Sequence, residues 1–206
     1  MSYFSPAKSL IAAAIIAVAG SAASAATVDF TSLDVTDLSA LTPVANPTAT
    51  STTGTVSENI TGNVFDTGVM VARSPWEGST NELDGLYTSV GLGSSATYEF
   101  DTNQGELSFV WGSPDTFNDL IITLSGSGST TTINGSDVFG TPGSLASFVT
   151  ISDVVFNSVT FTATTHNAFE YANIATAEVP LPAAGFLLLA GLGGLAMTRR
   201  RREEDV

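Results

Sequence analysis

Between residues 26 and 178 the chain offers seventeen carboxylates, a single strong base (Arg73), a single histidine (His166) and no cysteine. That inventory limits the chemistry. Thiol catalysis and cysteine-based metal sites are absent by composition, and a site needing two histidines is excluded by count. A Ser/His/Asp mechanism has to be built on His166, which stands in Thr164-Thr165-His166-Asn167 between two strand-like runs. The chain has no GxSxG nucleophile elbow to go with it. Paired carboxylates are the remaining acid–base option, as in glycoside hydrolysis, where two acids flank the scissile bond. Glu99/Asp101, Glu77, Glu82/Asp84 and Asp115/Asp119 are the candidates. So many acids guarantee chance pairs, and none is set off by its surroundings, so the expectation is a protein that is not an enzyme and has no catalytic residues.

Binding chemistry has two candidates. Oxygens at positions one and three of Asp101-Thr102-Asn103-Gln104-Gly105-Glu106 are spaced as in a calcium loop. The fifth position is Gly105, however, and Gly112 stands where a bidentate Glu closes such a loop. A plain hairpin turn is the better reading there. A calcium ion held by acids distant in sequence stays open, because oxygen ligands are in surplus. Trp76, in Ser74-Pro75-Trp76-Glu77-Gly78, has two readings: an exposed ring stacking on a sugar, or a plug closing one end of the domain. Trp111 alternates with Leu107 and Phe109 and reads as core. The body's net charge, near −16, repels nucleic acid and anionic lipid headgroups, so no nucleic-acid partner is expected.

The elements that must position these residues are strands. Leu107, Phe109 and Trp111 alternate with Ser108, Val110 and Gly112; Val159, Phe161 and Ala163 with Thr160 and Thr162; Phe169 and Tyr171 with Glu170 and Ala172. Leu86 to Val90, Ala96 to Phe100, Leu120 to Leu124, Thr130 to Ile133 and Phe148 to Ile151 are further strands. Asn103-Gln104-Gly105, Ser125 to Ser129 and Asn134-Gly135 separate them as turns. Leu41 to Gly54 reads as an extended Thr/Pro loop, open to O-linked sugar, and Ala175 to Glu178 as a short linker. No stretch keeps helical periodicity over three turns. The fold class expected is all-β, an antiparallel β-sandwich or jelly roll at residues 26–178, with an N-terminal signal helix and one C-terminal transmembrane helix.

Both ends read as delivery segments. Residues 1–25 form a signal peptide: Lys8 supplies the positive charge, Leu10 to Val18 the apolar run, and Ala23-Ser24-Ala25 the small-x-small cleavage site, with Ala26 an alternative boundary. At the other end, the charge-free run 183–198 covers roughly 24 Å as a helix, slightly short of a bilayer. Arg199, Arg200, Arg201 and Arg202 follow as a membrane stop that stays cytoplasmic, within the tail 199–206. Before this span stands Val179-Pro180-Leu181-Pro182-Ala183, whose prolines hold the chain extended.

The order VPLPA, glycine-containing apolar helix and terminal arginine cluster over residues 179–206 resembles the PEP-CTERM sorting signal in its VPLPA-CTERM variant. Glu203-Glu204-Asp205 after the arginines departs from the pattern. The resemblance implies a Gram-negative bacterium, export by the Sec translocon and signal peptidase, and transient anchoring in the inner membrane. It also implies processing by an exosortase-like transpeptidase, after which the body passes to the cell surface or the exopolysaccharide. A second resemblance covers the body. Trp111-Gly112-Ser113-Pro114-Asp115-Thr116-Phe117-Asn118 and Phe169-Glu170-Tyr171-Ala172-Asn173 are similar to the WGSxDxYN turn and FEFDN closing strand of exosortase-dependent surface proteins. Phe117 and Ala172 replace the usual Tyr and Asp. The function expected is an exported cell-surface or exopolysaccharide-associated structural protein, with a surface carbohydrate-binding module, calcium-assisted or not, as the alternative.

Overall fold

The computed structural model describes residues 26–124, 129–138, 145–166 and 168–179. The expected signal segment 1–25 and the segment from Pro180 onward lie outside the described residues. Among the described residues no helix is long and apolar enough to cross a membrane. The chain is all-β. In order it forms β1 (Thr27–Leu33), α1 (Val35–Ala40), β2 (Ser51–Thr53), β3 (Val56–Ile60), β4 (Val64–Asp66) and β5 (Val69–Ala72). Then come β6 (Tyr87–Val90), β7 (Ser94–Gly112), β8 (Asn118–Leu124), β9 (Thr130–Asn134), a 3-10 turn (Gly135–Asp137), β10 (Ala146–Ser152), β11 (Phe156–Ala163) and β12 (Phe169–Glu178).

The main sheet runs β1-β10-β7-β12-β6-β3, with β2 added on the first residues of β7. A three-stranded sheet runs β11-β8-β9, and β4-β5 form a separate hairpin. The alternation predicted for three runs holds, because one face of each packs into a common cluster. Tyr98, Phe109, Trp111, Phe169 and Tyr171 of the main sheet meet Leu120, Ile122, Val159 and Phe161 of the smaller one. The rings interlock: Trp111 stacks on Phe169 at 4.5 Å between centroids, and Phe161 on Tyr171 at 3.8 Å.

The opposite face of the main sheet is covered as well. Val110, Ala172, Tyr87 and Ala146 pack with Leu33, Leu38, Ala72 and Trp76 into a second apolar cluster. Leu38 is carried by α1, six residues long and held by a capping box. The Asp34 side chain accepts from the Thr36 and Asp37 N–H groups, and the Asp37 side chain accepts from the Asp34 N–H. One turn and a half is too short to leave a period in the sequence. The β4-β5 hairpin turns at Thr67-Gly68, both at positive φ (47° and 83°), as a right-twisted two-residue hairpin requires.

Three expected breaks are not breaks. β7 passes unbroken through Asn103-Gln104-Gly105, so Asp101 to Glu106 is strand and not a hairpin turn. Pairing with the end of β12 supplies its hydrogen bonds, including Val179 N–H to the Asn103 carbonyl at 3.0 Å. For the same reason Ala175 to Glu178 is not a linker but the last part of β12. Asn134 does not turn a hairpin; it caps the 3-10 turn, accepting from the Ser136 N–H.

The loop after α1 is fastened by Asn46, which is 4% exposed. Its Nδ2 donates to Thr88 Oγ1 and to the Tyr171 carbonyl, both at 3.0 Å, and its Oδ1 accepts from the Ile174 N–H at 3.1 Å. Removing that amide leaves buried backbone groups without partners. Asn46→Ala is expected to lower the unfolding free energy by about 2–3 kcal/mol in chemical denaturation. Thr48→Ala, two residues along on the exposed side, should change it by less than about 0.5 kcal/mol. Equal effects from the two variants would contradict the role assigned to Asn46.

Candidate functional site

The most unusual chemical group in the body is a carboxyl inside the sheet. One row of cross-strand partners crosses the whole main sheet: Leu33, Ala146, Gly112, Glu170, Ser89 and Ser57. Its middle is occupied by Glu170, 3% exposed. Glu170 Oε1 accepts the Arg73 backbone N–H at 2.9 Å, which fastens the segment leading to Trp76 onto the sheet. Gly112 makes this possible. A Cβ there would sit 2.8 Å from Pro75 Cγ and 3.2 Å from Glu170 Cβ, so only glycine lets Pro75 close over the carboxyl.

Burial pushes the Glu170 carboxyl up to about 8, with the Asp115 charge adding to the rise. The Arg73 N–H bond and the Arg73 charge act against it. Asp115 is itself raised by burial, with His166 opposing. The Tyr87 hydroxyl, which donates to the Gly62 carbonyl at 2.7 Å, is raised by burial and then by Glu170. Arg73 Nε is paired with Glu77 Oε2 at a partly exposed position.

The segments Trp111 to Asn118 and Phe169 to Asn173 lie side by side. Tyr171 faces Trp111 and Glu170 faces Gly112 in the β12-β7 ladder. In the first, Asn118 closes the turn, its N–H donating to the Asp115 carbonyl at 3.1 Å and its Nδ2 to the Ser113 carbonyl at 3.3 Å. In the second, Asn173 sits at φ 55° in a bulge; its Oδ1 accepts from the Val44 N–H and its Nδ2 donates to the Thr42 carbonyl. Both asparagines are therefore structural. Ala172 is fully buried in the apolar cluster around Trp76.

The other expected positions separate. Trp76 is fully buried, its Nε1 donating to the Leu86 carbonyl at 3.1 Å, so it plugs the domain and has no face for a ligand. His166 is exposed; its Nδ1 meets Thr165 Oγ1 at 3.1 Å and its ring lies 5.1 Å from that of Phe117. Glu99 and Asp101 both border a shallow cavity with Thr123, Asn157 and Ser158. Glu82 accepts from the Gly78 N–H, Asp84 is exposed, and Asp119 accepts from Asn134 Nδ2 at 2.8 Å. Among the described residues no three acids or histidines are grouped to hold a metal ion. Of the sorting and cleavage positions, Ala26 and Val179 are described: Ala26 packs against the main cluster, and Val179 lies beside Gly105. Ala23, Ala25, Pro180, Leu181, Pro182, Ala183 and Arg199 to Arg202 lie outside the described residues. The alternation rule hides Glu170, because it puts that side chain on the face away from Phe169 and Tyr171, where solvent is the default. The signal that could have found it is the opposite-face pair Val110 and Ala172, apolar where a solvated face would be polar.

The chain matches no family model, and no curated protein or solved structure is significantly similar to it.

A folded-state value of about 8 against an ordinary 4.5 means the folded body prefers the protonated carboxyl. The associated stability is complete below about 4.5, is lost as pH rises toward about 8, and is constant above that. The loss amounts to at most about 5 kcal/mol. Glu170→Gln keeps an oxygen for the Arg73 N–H and removes the titration. Thermal melts are expected to show the variant more stable than the wild-type chain at pH 8, with the difference closing toward pH 5. Parallel melting-temperature curves for the two proteins would rule this out.

Proposed function

We propose that this chain is an exported, non-catalytic structural protein of a Gram-negative cell surface or its exopolysaccharide. In this reading the Sec translocon and signal peptidase remove residues 1–25, with the cut at Ala25 or Ala26. Residues 183–198 hold the precursor in the inner membrane, stopped by Arg199 to Arg202. An exosortase-like transpeptidase acts at Val179 to Ala183 and releases the body. The body itself is a β-sandwich of jelly-roll type, its small sheet stacked on its large one. It stays folded without disulfides through its two apolar clusters.

The observation that carries the reading is the junction. β12 runs to Glu178, the Val179 N–H still donates to Asn103, and the VPLPA motif begins at that same residue. A last strand that ends where the motif starts supports a processing substrate, in which the two prolines of the motif would hold the following chain extended. The carbohydrate-module alternative loses Trp76 as a stacking ring, since Trp76 is inside the protein.

Fractionation of the source bacterium tests the reading. Wild-type chain is expected in the surface or extracellular fraction, shortened by roughly the mass of the last 25 residues. Pro180→Ala with Pro182→Ala should accumulate in the inner membrane at precursor length. Release of that double variant at the wild-type rate and mass would defeat the proposal.

A further inference from the structure

The row that holds Glu170 continues to Ser89 on β6 and Ser57 on β3. At that point the cover provided by the Trp76 segment ends. A cavity of about 460 Å³ opens there between the β3-β6 edge and the β4-β5 hairpin. Its wall carries polar residues, Ser57, Ser89 and Asp66 among them, and apolar ones such as Ile60, Val64 and Leu92. Ser89 is 6% exposed and borders the cavity. A hydroxyl on a cavity wall can both donate to and accept from a ligand that enters. The hydroxyl of Ser57 stands on the adjacent strand, directly across from it.

The lining selects the ligand. Among the described lining residues the oxygen groups donate and accept, Asp66 supplies a carboxylate and there is no base, so anions are repelled. A lone carboxylate with hydroxyls is too few ligands for calcium. The volume lies in the range of small-molecule sites, and the wall is half apolar. A molecule that carries hydroxyls on its edge and a C–H face on its flank matches both halves. We propose that this cleft binds a neutral saccharide unit, with Ser57, Ser89 and Asp66 taking its hydroxyls and Ile60, Val64 and Leu92 its C–H face. The site lies wholly in the folded body, so it stands or falls apart from the sorting reading.

Saturation-transfer NMR on the full chain, held in a detergent without sugar headgroups, tests the cleft. The probes are glucose, N-acetylglucosamine, galactose, mannose and maltose, with glucuronate and glucosamine as the anionic and cationic counterparts. At least one neutral sugar is expected to bind saturably in the millimolar range, with glucuronate at least about tenfold weaker. Ser57→Ala and Ser89→Ala should each weaken that sugar about fivefold to tenfold, the loss of one hydrogen bond. Ser57 is on an edge strand and half-exposed, so its variant is expected to keep the wild-type melting temperature and serves as the folded reference. Three results overturn the proposal: no neutral sugar saturating by about 50 mM, undiminished binding in the Ser57→Ala/Ser89→Ala double variant, or preference for glucuronate or glucosamine over every neutral sugar.

Discussion

The β7-β12 pair is buried on both faces, and most of what is distinctive in this protein follows from that constraint. Leu107, Phe109, Val110 and Trp111 are consecutive or alternate residues of one strand, and all are fully buried. An antiparallel strand usually shows one face to water and can alternate apolar with polar. Here the inner face needs aromatic bulk to reach β8 and β11, while the outer face needs small or flat residues under Trp76. Gly112, Ala146 and Ala172 supply that second requirement. Glu170 is the exception, a carboxyl placed where the chain has excluded water. It is kept there by the Arg73 N–H and by its own protonation.

Polarity is graded across the outer face. From Leu33 and Ala146 the row passes to Gly112, then to Glu170, then to Ser89 and Ser57, so each strand toward the β3 edge is less apolar than a core row would be. The cap of α1 and the Trp76 segment covers the apolar part and stops at the hydroxyls. The chain's strong base between residues 26 and 178 sits at this boundary, where Arg73 reaches Glu77 with its side chain and Glu170 with its backbone. The ion pair is partly exposed and adds little to stability. The backbone bond is shielded and does more. Packing takes precedence over hydrogen bonding at Trp111 in the inner cluster, whose Nε1, like Asn118 Oδ1, is buried with no hydrogen-bond partner among the described residues.

Periodicity exposed about half of this architecture. β11, β12 and the second half of β7 were legible because a single aromatic or branched face repeats at every second residue. β8, β9 and β10 were legible as short apolar runs between turn residues. Residues 27–72 were not, since Thr27 to Leu33 is an edge strand with mostly exposed side chains, and β2 to β5 are three to five residues long. Strands that short are decided by their partners and not by their own sequence. Asn103-Gln104-Gly105 misleads for a related reason: its residues favour a turn, but β12 offers a ladder and the ladder prevails. Trp76 and Glu170 were ambiguous because each needs knowledge of what lies above the sheet. Asn46 gives no pattern at all. The three hydrogen bonds of its side chain join positions 42 to 128 residues apart.

The position of β12 also bears on how the body folds. It follows every other described strand in sequence, yet it lies inside the main sheet, between β7 and β6. Without it the sheet is split: β1, β10 and β7 on one side lose β6 and β3 on the other. Phe169 and Tyr171 are then missing from the inner cluster, and Ala172 from the outer one. The sheet therefore cannot close until residues 169–178 are available to it, and pairings this distant in sequence form slowly. A chain whose central strand comes last stays open until that strand is available. It becomes compact only when the segment leading to Val179 is in place, so completion of the fold is tied by topology to the last described strand.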